Sequence, residues 1–434
     1  MVHDDGPVGL TAVKVEFDDE RAVSDAGVLL VATLAGRLGI EALAGDLVRL
    51  RGDRAGAANA GRKIMALVFA MVLGADSIDD CEVLRAGRTR RLLGGWIPAP
   101  STLGTFLRAF TFGHVRQLDA LLARALQRAW QAGAGPGTGR LVIDIDSFVG
   151  EVCGPKKQGA GYGYTRAFGY HPILATRADT REALHIRLRK GSANTQKGAK
   201  RFCDELIARV ARAGASGPVL LRADSGFWNT KVFERLEKAG WQYSIGVRNI
   251  AKVRAAIDAI AEDAWETIEY TEGGEAMIAE TRYGGRRLIV RRTRLTGPQA
   301  ELWPDWRHHC LITNRTDAMA LAEAEHREHA VVEQVIADLK DQALAHFPSG
   351  IFHANGAWTV LAALAHNMLR WTQLLGLPDT TVRAARTLRR RLLSLPGRLT
   401  THARGWTLHL PARWSWKQDY LTALDNIRGL PPAG

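Results

Sequence analysis

The chain has 434 residues, 46% of them hydrophobic, with 58 Lys and Arg against 45 Asp and Glu, a formal charge of +13. That apolar share supports a real core and excludes global disorder, while the basic excess favours polyanionic partners, nucleic acid first among them. Its four cysteines, Cys81, Cys153, Cys203 and Cys310, form no C-x-x-C pair; this excludes a zinc knuckle or a disulfide framework and suits a reducing cytoplasm.

Residues 1–25 read as a poorly ordered N-terminus with a short strand at Val13–Phe17. No basic-then-apolar leader pattern is visible, and the apolar runs Val28–Ala35 and Ile64–Ala75 are too short to span a bilayer, so a cytoplasmic protein with no membrane partner is expected. Residues 26–135 carry helical apolar spacing, as in "GRKIMALVFAMVLGADSIDDCEVL". In "IPAPSTLGTFLRAF", Ser101 or Thr102 is placed to cap a helix whose apolar face is Leu103, Phe106, Leu107 and Phe110. Such a unit fits a helical DNA-binding domain of helix-turn-helix type, and equally a plain helical bundle.

From residue 136 the pattern turns to strands. Leu141–Phe148, His171–Ala175, Ala183–Arg189, Val219–Ala223 and Gln242–Val247 are expected strands, with helices at Thr195–Arg212 and Asn229–Ala239. Three strands, helix, strand, helix, strand is a mixed α/β order. Residues 265–316 read as a β-rich insertion, a meander with turns at Gly273–Gly274 and Gly284–Gly285. Helices resume over Asp317–Ala345 and Ala357–Leu375, closing an α/β domain at about residue 380; residues 381–434 form a basic C-terminal region.

Acids interrupt this core. In "RLVIDIDSFVGEV", Asp144 and Asp146 lie two apart, so on a strand they share one face. A carboxylate there is costly unless it is paired or metal-bound. In "VLLRADSGFW", Asp224 follows an apolar strand directly and stands at its carboxyl end, where ligands bind in open α/β sheets. In "HREHAVVEQVIADLKDQALAH", a helical projection puts His326, His329, Glu333 and Lys340 on one narrow stripe beside an apolar face of Val332, Val335, Ile336 and Leu339. Two aspartates and a glutamate on two strands and a helix suit two-metal phosphoryl chemistry, for which a few hard oxygen ligands hold Mg²⁺.

These blocks resemble the DDE transposases of bacterial insertion sequences, and most nearly the insertion sequence 1380 family within the insertion sequence 4 group. The likeness rests on "DIDSFVGEVCGPKKQGAGYGYTRAFGYHPILA", "LRADSGFW" and "HAVVEQVIADLKDQALAHFPSG" followed by "NGAWTVLAALAHN". It implies a ribonuclease-H-like catalytic domain over residues 136–380. The catalytic and metal-binding triad would be Asp146, Asp224 and Glu333, with Asp144 the runner-up for the first aspartate. The group's signature runs Tyr, Arg, Glu, Lys, and its Arg and Lys approach DNA phosphates; here those positions are His326, His329, Glu333 and Lys340.

The resemblance implies two Mg²⁺ ions, with Mn²⁺ as a substitute, and DNA as partner, both as terminal inverted repeats and as target. It further implies a homodimer in the end-paired complex and a bacterial, nucleoid-associated location. The activity implied is cut-and-paste transposition through a hairpin. A ribonuclease-H-like nuclease without strand transfer, or a catalytically weakened DNA-binding descendant, are the alternatives. Further DNA-facing residues follow from residue chemistry: Lys156, Lys157, Tyr162, Tyr164 and Arg166 mix cations with aromatics, and Arg189 and Lys190 precede a helix start; the resemblance to related transposases implies that Trp303 or Trp306, in the insertion, stacks on a flipped base.

Overall fold

The computed structural model describes residues 11, 13–50, 52, 56–163, 166–270, 273–296, 306–403 and 405–433. The longer N-terminal helices come first: α1 (Val28–Arg37), α2 (Ile40–Leu47), α3 (Ala60–Val72), α4 (Pro100–Arg108) and α5 (Phe112–Ala129), with the single turn Thr89–Leu92 between α3 and α4. The anticipated apolar face of α4 is buried at Leu103, Phe106, Leu107 and Phe110. Its start differs from expectation. Pro100 occupies the first turn and Ala99 is an N-cap without a side-chain bond, because proline needs no amide partner there and its fixed φ already suits the helix. Val13–Phe17 forms no strand; these residues are exposed. The short strand in this region is Ala22–Val23, which pairs with Gly397 and Arg398.

The sheet follows as β1 (Leu141–Ser147), β2 (Ile173–Arg177), β3 (Ala183–Arg187), β4 (Val219–Ala223) and β5 (Gln242–Val247), with α6 (Ala199–Ala213) before β4 and α7 (Thr230–Lys238) before β5. Asn229 caps α7 through the amide of Lys231. After α8 (Ala251–Asp258) come β6 (Glu266–Ile268), β7 (Gly274–Tyr283), β8 (Arg286–Leu295) and β9 (Arg307–Thr313). Gly284 and Gly285 both take positive φ, 59° and 78°, the two-residue hairpin turn that matches strand twist. The strand order is β6-β7-β8-β9-β5-β4-β1-β2-β3. Within it β3-β2-β1-β4-β5 has β2 antiparallel to both its neighbours and β1, β4 and β5 parallel. The meander is not a separate lobe. β9 pairs with β5, Cys310 against Val247, and so extends the same sheet to nine strands.

Three helices complete the site and the core: α9 (Met319–Arg327), α10 (Val331–Lys340) and α11 (Phe352–Gly376), with α12 (Lys417–Gly429) at the C-terminus. α11 is buried along most of its length and packs against α3, α5 and β3. Asn367 accepts from the Ala183 amide and donates to the Ala183 carbonyl, so a side chain satisfies the backbone of an edge strand that would otherwise bury unpaired polar groups. The N-terminal helices and the sheet share one contiguous apolar core running from Val28 to Ile427. The helical region is therefore built onto the sheet rather than tethered beside it.

Candidate active site

β1 and β4 are parallel neighbours with Ile145 opposite Ala223. One step on, Asp146 and Asp224 emerge side by side at the carboxyl ends of both strands. The Asp146 carboxylate accepts from the Ser147 amide at 2.6 Å. Asp224 caps the short turn Ser225–Phe227 through the Gly226 amide at 3.0 Å. Glu333 lies exposed in the first turn of α10. That helix is seated against β1 and buries Val332, Val335, Ile336 and Leu339, the expected apolar face.

Both aspartates are partly buried carboxylates whose burial is not offset, among the described residues, by a bonded cation. Burial, together with the carboxylates of Asp224 and Glu333, pushes Asp146 up to about 7. Burial also raises Asp224, against the Gly226 amide and the nearby His329, Arg248 and His171. Among the described residues none of the three acids forms an ion pair with Lys or Arg. Like charges gathered without a counter-cation are unfavourable unless protons or metal ions are taken up. The residues present thus fit divalent cations, with hard carboxylate oxygens as ligands.

Asp144 is a different case. It is fully buried and held by Arg222, its register partner on β4, through two bonds of 2.7 and 2.9 Å. A bidentate pair of this kind neutralises the acid and removes it from metal chemistry. Arg222 also donates to the Glu325 carbonyl at 2.6 Å and reaches Glu328 at 3.4 Å. The pair is a strut between the strands bearing both aspartates and the segment leading into Glu333. Sequence reading did not find Arg222, because its role appears only once β1 and β4 are in register.

The anticipated continuous helix from His326 to Lys340 is broken. α9 ends at Arg327, a 3₁₀ turn covers Glu328–Ala330, and α10 begins at Val331. The tighter turn spoils a 100° projection across the break. His326 and His329 stack on each other at 5.3 Å and 14°. His326 bonds Ser244 Oγ at 2.9 Å, and burial, with neighbouring His329 and Arg222, pushes it down to about 3. It is therefore a neutral, internally bonded side chain. Lys340 is exposed at the far end of α10, 5.4 Å from the Phe148 ring centroid.

The expected DNA-facing loops divide in two. Lys156, Tyr162, Arg166 and Lys190 are exposed, and the Gly191 amide bonds the Gly159 carbonyl at 2.9 Å, which joins both basic segments in one ridge. Lys157 donates to the Phe347 carbonyl. Arg189 is a correction. It is buried and donates to the carbonyls of His171, Asn194, Thr195 and Lys197, so it orders the loop from within instead of facing a phosphate. That loop carries Thr195 to within 3.4 Å of Ser147 Oγ, beside Gly226, a neighbour of both aspartates that sequence reading missed. Trp306 stands 4.5 Å from both Arg292 and Arg294. Trp303 and Tyr164 lie outside the described residues.

Beside Asp224 opens a cleft of about 580 Å³, lined by Arg248, Asn249, Arg291, His308, His309 and His329 among others. A second group of ligand-type side chains, Asp119, His185 and Glu205, has its ligand atoms all within 4.8 Å of one another. The carboxylates of Asp146, Asp224 and Glu333 do not meet that spacing and form a more open set.

No curated protein matches the chain. Among solved structures, a cryo-EM structure of the piggyBac transposase synaptic complex with hairpin DNA is similar, with a TM-score of 0.46 and 13% identity over 95% of this chain and 86% of that one. A family match spans residues 6–432. The chain belongs to the family described as Transposase DDE domain group 1.

Proposed function

We propose that the protein is a DNA transposase that cuts at terminal inverted repeats and joins the freed 3′-ends to target DNA. The observation that carries this is the convergence of Asp146, Asp224 and Glu333 from two strand ends and a helix, with no Lys or Arg paired to any of them among the described residues. The order β3-β2-β1-β4-β5, with β2 reversed, supports a ribonuclease-H-like core. The three quoted blocks support an insertion sequence 1380-like enzyme of bacterial origin, acting in the cytoplasm at the nucleoid.

Asp146, Asp224 and Glu333 would hold two Mg²⁺ ions, or Mn²⁺ in their place, which when bound activate the attacking oxygen and neutralise the leaving one. The chain's own residues do the rest. The Asp144–Arg222 strut fixes the spacing of the acids. Lys156, Arg166 and Lys190, with Lys340 across the site, line a path for the phosphate backbone. Lys157 contributes from the base of that ridge. His329 is the side chain at the Arg position of the signature, with His326 supporting it from behind. The basic cleft beside Asp224 suits a nucleotide displaced from the duplex, as a hairpin intermediate requires, and Trp306 lies in the same part of the sheet. Pairing of two ends calls for a homodimer.

The deciding experiment supplies pre-cut repeat ends and a supercoiled target in Mg²⁺. Joined product establishes strand transfer. Nicking without joining would leave a nuclease, and end binding without either reaction would leave a DNA-binding descendant.

A further inference from the structure

The C-terminal region holds no acidic residue between Asp379 and Asp419, against eight arginines and one lysine. Part of it forms a hairpin ribbon, Gly397–His402 with Gly405–His409, whose base alone is joined by a third strand, Ala22–Val23. The register pairs Arg398 with His409, Thr400 with Thr407 and His402 with Gly405 on one face, and Leu399 with Leu408 and Thr401 with Trp406 on the other. The leucine pair is anchored in a small core with Val23, Ala26 and Leu92. Around that anchor Trp406 is 57% exposed, and Arg398, His402 and His409 are exposed.

Leu92 belongs to the short helix Thr89–Leu92, which brings Arg90 and Arg91 to the flank of the ribbon, both exposed. Arg88 fixes that junction by donating to the Leu399 carbonyl at 3.0 Å, and lies 5.7 Å from the Trp406 ring. Among the described residues the one carboxylate reaching the ribbon's cations is Asp19, 3.6 Å from Arg398, with both side chains about half exposed. Surface pairs of this kind are weak. The segment leading into the ribbon is tied to the C-terminal end of α10: Arg389 bonds Asp341 and Gln342 just after that helix, and the Ala385 amide bonds Asp338 within it.

We propose that this ribbon is a second DNA-binding surface, one that engages duplex DNA away from the reacting phosphate. The proposal rests on the transposase reading. A two-stranded β-ribbon fits the major groove. Here its threonine and histidine face supplies hydrogen-bonding groups, and Arg90, Arg91 and Arg398 stand at its borders to meet phosphates. The small core seats the ribbon on the N-terminal helices, and the segment just before it is bonded to the helix that carries Glu333, so duplex seated on the ribbon is aligned with the site.

The test is duplex binding by the full chain, followed by fluorescence anisotropy across a salt series. Replacing Arg90, Arg91 and Arg398 together with Gln should reduce the log–log salt slope by about 0.9 for each phosphate no longer neutralised, so by about 2 to 3. If that variant fails to fold, the double Arg90→Gln, Arg91→Gln, on two exposed side chains, should still reduce it by about 1.8. Wild-type binding with an unchanged slope in the folded variants overturns this proposal and leaves the transposase reading standing. Absence of duplex binding by the wild type would sink both. A change of sedimentation mass in the variants with the DNA slope intact would assign the ribbon to a second copy of the chain, and so overturn it too.

Discussion

Asp119, His185 and Glu205 are more tightly gathered than Asp146, Asp224 and Glu333, yet they are the poorer place for a metal ion. Arg209 and Arg116 bond Asp119; Arg187, Arg201 and Arg116 bond Glu205; and His185 lies between the two acids at 3.2 and 3.1 Å. Burial alone would raise both carboxyls. Arg209 and His185 instead hold Asp119, and His185 and Arg187 hold Glu205, well below the usual carboxylate range. A cation entering there would displace arginines. At the other cluster burial and mutual repulsion raise Asp146. The difference teaches that ligand spacing does not identify a cation site by itself; the missing counter-charge does.

The comparison breaks most visibly in activity. Asp146→Asn, Asp224→Asn and Glu333→Gln should each cut cleavage and joining by at least about a hundredfold, the scale for loss of one preorganised electrostatic group. End binding, read by gel shift, should persist. Asp119→Asn should retain cleavage wherever it folds, and Asp144→Asn, which loosens the strut to Arg222 without removing a metal ligand, should lose less than any of the three. Stability reverses the ranking. Arg222→Ala leaves Asp144 buried without its partner and should cost about 3–5 kcal/mol in urea unfolding, whereas Asp146→Asn should cost little in the metal-free protein because it removes a repelled charge.

The pH dependence of stability sharpens the contrast. Asp146 has a folded value above its unfolded one, so the folded state binds the extra proton. Its contribution is therefore favourable near pH 4 and is lost as pH rises through about 7. Asp119 and Glu205 are depressed, so their contribution is present above about pH 4 and is lost as pH falls below it. In metal-free protein, melting temperature should decline from about pH 5 to 8 more in wild type than in Asp146→Asn. Equal slopes would mean that Asp146 is not perturbed. Mg²⁺ at a hundred times its dissociation constant should then stabilise wild type by about 2.7 kcal/mol and Asp146→Asn by much less. The smallest effects belong to the histidines. His326→Gln should cost about 1 kcal/mol for one hydrogen bond without changing the salt slope of DNA binding, whereas His329→Arg should steepen that slope by about 0.9 if the position meets a phosphate.

Much of this was legible in the sequence because local chemistry set it. Val219–Ala223 and Gln242–Val247 begin and end where apolar runs do, and Gly284–Gly285 could only be a turn. Asp224 stood out as an acid directly after an apolar strand, and Asp144 and Asp146 as acids inside one. What escaped reading depends on distant pairings. Asp144 and Asp146 look alike on the page, and only the β4 register gives Arg222 to one of them. The 3₁₀ turn at Glu328–Ala330 escaped because an apolar stripe constrains the helices on either side, not the turn between them. Arg189 looked like a surface cation until the loop carbonyls closed around it.

The most direct test of the open acid cluster is Mn²⁺ binding, measured by electron paramagnetic resonance on the full chain with repeat-end duplex bound. The account predicts that Asp146→Asn and Asp224→Asn each lose the bound ion signal while Asp119→Asn keeps it. Loss of the signal in Asp119→Asn, with Asp146→Asn unchanged, would contradict it.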